Sequence, residues 1–213
     1  MNVVSMGMAN ARAQDDTLEA RVERLEAIES IRALKAHYGA LADAKYSGDY
    51  RKLEGEALAD IARQQAACFT EDAVWAGGNG FGGDLVGRAA IERWFLASPW
   101  RFAMHYYVSA SLNVDVPRGE AQANWRLTQI ALREGANANA DENADENASA
   151  GAVWLGAVTT EHYRREASGQ WRIHYMKFET LHMMTLADGP LPIAGNFADL
   201  DALRAARTED NQS

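Results

Sequence analysis

Cysteine, proline and long apolar runs are all scarce in this chain of 213 residues, which has one Cys and four Pro. A single thiol, Cys68, excludes an internal disulfide framework and fits a reducing compartment. No apolar run approaches the ~20 residues of a membrane-spanning helix. Basic charge is also short: 21 Lys and Arg stand against 30 Asp and Glu, a formal charge of −9. That balance argues against nucleic-acid and anionic-membrane partners, which need a basic footprint. The glycine-rich stretch Gly77 to Gly83 lacks the Gly-Lys-Ser/Thr ending of a phosphate cradle and reads as a flexible turn. The five His residues form no His-x-Glu or His-x-His cluster, so no metal site and no cofactor are expected. Ala11-Arg12-Ala13-Gln14 is only faintly like a signal-peptidase site, because the segment before it has no basic start and its apolar stretch is broken. A cytoplasmic protein is the expectation.

What is present is ordinary globular composition, 47% hydrophobic and 24% charged, enough for one domain with a core. Leu18, Val22, Leu25, Ile28, Ile31, Leu34, Tyr38 and Leu41 recur at three- and four-residue steps, which predicts one long helix with one buried stripe. Thr17 can cap it, and Ser47-Gly48 ends it. A second helix is expected over residues 50–68, a strand from Phe69 to Trp75, and a short helix over residues 87–95. Four strands follow, over residues 104–116, 121–133, 153–165 and 170–184. Helices first and antiparallel strands after them make an α+β fold, with the helices packed on one face of a curved sheet. The expected organisation is a disordered segment over residues 1–16, one domain over 17–187 and a tail over 188–213. Residues 135–151, polar and repetitive, read as a flexible hairpin loop, and a short amphipathic helix is expected near residues 197–206.

One pair of side chains points to chemistry. His105 lies in the apolar, aromatic run Phe102 to Val108, where an imidazole is lifted out of water, and Asp43 ends the first helix. A carboxylate that orients such a histidine makes a general base near neutral pH. Asp43 has the wrong sign for the C-terminal end of a helix, which hints at a compensating role.

Five passages occur in the order seen in SnoaL-like proteins of the nuclear transport factor 2-like superfamily: Tyr38 to Asp43, Cys68 to Ala73, Gly87 to Ile91, His105 opening a strand, and Tyr163-Arg164-Arg165 followed by Gly169 to Ile173. The resemblance covers roughly residues 18–184. It implies a cone, in which a bent antiparallel sheet wraps a pocket closed on one side by the first helix. It also implies a range of activities: dehydratases, isomerases, cyclases, a dehydrochlorinase, cofactorless lyases that release formaldehyde from lignin-derived diaryl compounds, and non-catalytic proteins. In the bile-acid dehydratase, scytalone dehydratase and dehydrochlorinase branches, an Asp on the first helix and a His at a strand start form a dyad, matched here by Asp43 and His105. Tyr38 matches a tyrosine of the bile-acid branch. That branch has a further acid on the next strand, where this chain has Trp125-Arg126-Leu127-Thr128-Gln129.

The same resemblance makes His174, Met176, Phe178 and His182 candidate wall residues, since they share one parity of the last strand. Trp94, Tyr106 and Trp125 are further candidate substrate contacts in an aromatic lining suited to a bulky apolar ligand. The resulting expectation is a cofactor-independent lyase for a hydrophobic hydroxylated substrate, with Asp43 orienting His105 and Tyr38 or Tyr106 serving the departing oxygen. Dehydration and retro-aldol loss of formaldehyde both remain open, as do isomerisation or cyclisation and plain ligand binding. A homo-oligomer, dimer or trimer, is the remaining expectation from the resemblance.

Overall fold

A computed structural model describes residues 17–77, 83–133 and 152–185. The expectations for residues 1–16, for most of the glycine-rich turn, for the loop over 135–151 and for the tail lie outside the described residues. The elements run α1 (Leu18–Asp43), α2 (Gly55–Ala66), β1 (Phe69–Ala76), β2 (Leu85–Val86), α3 (Arg88–Leu96), β3 (Trp100–Asp115), β4 (Glu120–Arg133), β5 (Ala152–Arg165) and β6 (Trp171–Thr185). Among the described residues no helix is long and apolar enough to cross a membrane.

The strands form one sheet in the order β2-β1-β6-β5-β4-β3. β3 to β6 is an antiparallel meander, whereas β1 joins β6 in parallel. The α+β cone follows from how each strand alternates. On β5, Val153, Leu155, Ala157, Thr159, Glu161 and Tyr163 are buried on the concave face, and the residues between them are not. β4 repeats the pattern with Ala121, Ala123, Trp125, Leu127, Gln129 and Ala131. α1 packs across β3 and β6 on this concave side, α2 packs on α3, and α3 packs on β1. Register shifts interrupt β3 between Ser109 and Ser111 and β5–β6 at two places, supplying the local bends that a wrapped sheet needs.

Thr17 caps α1, its hydroxyl oxygen accepting from the Ala20 N–H at 3.2 Å. The buried stripe differs from the periodic expectation. Ile31, Tyr38 and Leu41 are buried, but Leu18 and Leu25 are 75% and 65% exposed, because the first turns of α1 run past the sheet. The buried face is carried instead by Ala27, Ile31, Lys35, Tyr38 and Ala42. α2 begins at Gly55 rather than near Tyr50, since Tyr46 and Lys52 form a short antiparallel bridge first. Gly87, at φ 86°, turns β2 into α3, and a side chain there would strain the backbone.

Candidate active site

The C-terminal end of α1 and the opening of β3 meet at one point. Oδ1 of Asp43 accepts the backbone N–H of His105 at 2.9 Å and lies 2.8 Å from its ring Nδ1. An ionised carboxylate only accepts, so Nδ1 carries the proton and Nε2 keeps its lone pair. The two accepted bonds also explain how a carboxylate is tolerated at a helix C-terminus. Burial holds the His105 pKa below its ordinary 6.5; the hydrogen bond and charge of Asp43 oppose this, and the ammonium groups of Lys45 and Lys35 add to it. The imidazole is therefore neutral, oriented and basic at pH 7.

His105 lines a cavity of about 280 Å³ between α1, α3 and the concave face of the sheet. Its walls are mostly apolar and aromatic: Trp75, Phe95, Trp100, Leu127, Leu155 and Phe178. Tyr38 and Tyr107 bring hydroxyls to it, which share a hydrogen bond with each other. Burial raises both phenol pKa values, so both remain proton donors. Gln129 pairs across from His105 in the β3–β4 register, and its Nε2 is a buried donor without a partner. Lys45, two residues beyond α1, also lines the cavity and is 5% exposed. Its ammonium sits 4.9 Å from the Phe95 ring centroid. Desolvation lowers its pKa to about 8, Asp43 pushing the other way and Lys52 adding to the drop.

A second polar cluster lies beneath the cavity. Lys35 Nζ donates to Glu161 Oε1 at 2.5 Å, with both side chains at most 1% exposed. Glu161 also accepts from Thr159 Oγ1 at 2.9 Å and from the Tyr163 hydroxyl, which in turn accepts Trp125 Nε1 at 2.8 Å. The Lys35 ammonium lies 3.8 Å and 4.6 Å from the Tyr107 and Tyr38 ring centroids. Both oxygens of this carboxylate accept hydrogen bonds, and the cluster ties α1 to β5 under the reacting groups.

A family model described as a SnoaL-like domain matches residues 59–177, more than half of the chain. The chain belongs to the SnoaL-like domain family. A search of curated proteins returns no match. Solved structures share this SnoaL-like fold at low identity. A putative scytalone dehydratase from Novosphingobium aromaticivorans is 14% identical, with a TM-score of 0.56 over 78% of this chain and 92% of that one. LinA is 14% identical, with a TM-score of 0.60 over 81% and 97%. The hexachlorocyclohexane dehydrochlorinase LinA-type3 from Novosphingobium barchaimii is 15% identical, with a TM-score of 0.56 over 81% and 99%. The fold thus has dehydratase and dehydrochlorinase neighbours, of the lyase type.

Of the residues singled out from sequence, the structure brings His105, Tyr38, Trp94 and Phe178 to the cavity wall, with Asp43 bonded to His105. It places the others elsewhere. Tyr106 is on the outer face of the sheet, half exposed, because its neighbour His105 takes the inner face; Tyr107 is the tyrosine at the wall. Trp125 and Met176 face inward but lie in the core beyond the wall. His174 and His182 leave the expected parity because β6 carries an extra residue between Ile173 and Tyr175 and another between Phe178 and Thr180. His174 consequently sits beside Thr70 and Asp72, its Nδ1 3.2 Å from Thr70 Oγ1, and His182 is exposed while Met183 lines the cavity. Lys35, Lys45, Gln129 and Glu161 were not singled out from the sequence as site residues. A signal existed for two of them: Lys35 falls four residues after Ile31 on the buried stripe, and Glu161 falls on the inward parity of β5.

Proposed function

We propose that this chain is a lyase that removes water from a hydrophobic, hydroxylated aromatic substrate, using His105 as general base and Asp43 to fix its tautomer. The observation that carries the reading is the neutral imidazole, held through Nδ1 by Asp43 with Nε2 left basic, at the wall of an apolar cavity. In this reading Nε2 takes a proton from carbon beside an activating group, and the electron pair expels the hydroxyl from the next carbon. Tyr38 and Tyr107, which stay protonated, supply hydrogen bonds or a proton to the departing oxygen. Proton abstraction and its return to a leaving group need no cofactor. A cavity of about 280 Å³ lies near the lower end of the ~300–1,000 Å³ range of small-molecule sites and suits one or two rings better than four.

A second reading has one observation in its favour. The residue across from His105 on β4 is Gln129, which can donate a hydrogen bond but cannot protonate a leaving group. Proton abstraction from a substrate hydroxyl, followed by retro-aldol carbon–carbon cleavage with release of formaldehyde, leaves the bond's electron pair on carbon, where it takes the proton back from His105, and would not need an acid there. Isomerisation or cyclisation would use the same base and return the proton to the substrate.

The test is incubation of the purified protein with hydroxylated mono- and diaryl compounds, with product masses compared for wild type and His105→Ala. Loss of one water, reduced ~10²–10⁴-fold in the variant, is the expected result. Loss of formaldehyde would select the second reading, and an unchanged mass with a rearranged product would select isomerisation or cyclisation. Undiminished turnover in His105→Ala would end the dyad mechanism.

A further inference from the structure

Lys45 has no role in the base chemistry just described, and its environment is unusual for a lysine. The side chain is 5% exposed in a cavity walled mostly by aromatic and aliphatic groups. Among the described residues no carboxylate lies within salt-bridge distance and no acceptor within hydrogen-bond distance of its ammonium; its close contact is the face of Phe95. Burying a cation costs several kcal/mol unless an opposite charge or acceptors compensate. A cation–π contact returns about 2 kcal/mol when desolvated, and the charge of Asp43 offsets a further part of the cost without forming a direct ion pair. Lys35 shows the contrast within the same chain: it is just as buried, and a carboxylate sits at 2.5 Å.

The polar groups around the cavity are lopsided in the same sense. Gln129 Nε2, opposite His105, is a buried donor without a partner. The hydroxyls of Tyr38 and Tyr107 each donate and accept, so they fit either kind of ligand and do not alter this balance. The carboxylate that holds His105, Asp43, already accepts two N–H groups. One unpartnered acceptor, Gln65 Oε1, stands against this donor and the ammonium. A cavity with surplus donors and one unmatched positive charge is complementary to a ligand that brings an anionic acceptor.

We propose that Lys45 is the anchor for an oxyanion on the substrate, so that the cavity selects an aromatic compound bearing a carboxylate or phenolate over its neutral isostere. This rests on the cavity being the substrate site proposed above, and it narrows the substrate class. The net charge of −9 makes the claim sharper, because the surface as a whole repels anions and any preference for one must be local. In either lyase reading the same ammonium, beside His105, also faces negative charge that develops on a substrate oxygen when the proton is taken.

The experiment is calorimetric titration of the full chain at pH 7 with 2-naphthoate and with 2-naphthamide, which share shape but not charge. Wild type is expected to bind naphthoate at least ~10-fold more tightly than naphthamide. Lys45→Met should erase that preference while naphthamide affinity stays within about 2-fold. Equal affinity for the two compounds in wild type, or a preference that survives in Lys45→Met, overturns the proposal. The wild-type comparison decides even if the variant fails to fold. His105→Ala is expected to retain the preference, since it leaves Lys45 in place. A retained preference in a protein that turns over no aryl compound would end the lyase reading and leave the anchoring role standing; loss of the preference in wild type alongside turnover would do the reverse.

Discussion

Asp43 spends one oxygen on two N–H groups of a single residue, which fixes both the position of the strand at His105 and the orientation of its ring. This makes a sharp expectation for pH dependence. His105 works as a base only when neutral, so the rate should rise with pH through its pKa and level off above it, and burial puts that midpoint below 6.5. Asp43 raises the His105 pKa, so Asp43→Asn should move the acidic limb to lower pH. It should nonetheless lower the plateau ~10²–10⁴-fold, because an amide no longer enforces the Nδ1–H tautomer. A pH–rate profile of the two proteins checks both; a plateau unchanged by Asp43→Asn would reduce the carboxylate to a structural strut. The pair was legible in sequence chiefly through the resemblance, which places an Asp on the first helix with a His at a strand start, and each partner also breaks a local rule, an acid at a helix C-terminus and an imidazole in an aromatic run. Tyr106 was misassigned although the same two-residue alternation that turns His105 inward turns Tyr106 out. Lys45 gave no such signal: it follows α1 in a turn, where a lysine reads as solvated.

At the level of elements, helix and strand positions followed from periodicity, and what failed was parity across a bulge. β6 keeps an inward face at Ile173, Met176 and Phe178 only by inserting one extra residue after Ile173 and another after Phe178. An inserted residue has no composition of its own, so strict alternation carried His174 and His182 to the wrong side. The stripe of α1 failed for a different reason: amphipathicity shows which face is apolar, not how far along the helix the sheet extends to cover it. A fully buried ion pair joins Lys35 of α1 to Glu161 of β5. Lys35→Met should destabilise the fold by about 3–5 kcal/mol, since it strands a fully buried carboxylate. Adding Glu161→Gln should recover most of that loss, because the Gln oxygen still accepts from one of the Thr159 and Tyr163 hydroxyls, its amide can donate to the other, and no charge is left buried. Urea unfolding of both variants at pH 7 measures this, and a double variant no more stable than the single would show that the pair contributes through its charges.

At the level of the whole molecule, the cone's concave side is filled and its convex side is not. One row of residues runs across four strands on the outer face: Met104 beside Ile130, Ile130 beside Trp154, and Trp154 beside Met184. The flanking positions Tyr106 and Val108 on β3 are exposed as well, and among the described residues β3 ends the sheet with an unpaired edge. A contiguous apolar belt next to an open edge is a liability in a monomer, and a second copy of the chain would cover it. Isologous pairing would bring each Tyr106–Val108 segment against its equivalent or against the Trp154 row, without touching the cavity, which opens on the other face. The expected result is a homo-oligomer, with dimer or trimer told apart by light scattering coupled to size exclusion. Val108→Glu with Tyr106→Glu should shift the protein toward monomer while leaving the affinity for aryl ligands within about 2-fold, because two buried like charges are added at an interface and none at the site. Wild type eluting as a monomer at high concentration would remove the interface. The outcome bears on the catalytic argument too: ligand affinity that fell together with the oligomer would mean that the concave face is held in shape from outside, by the pairing of its convex side.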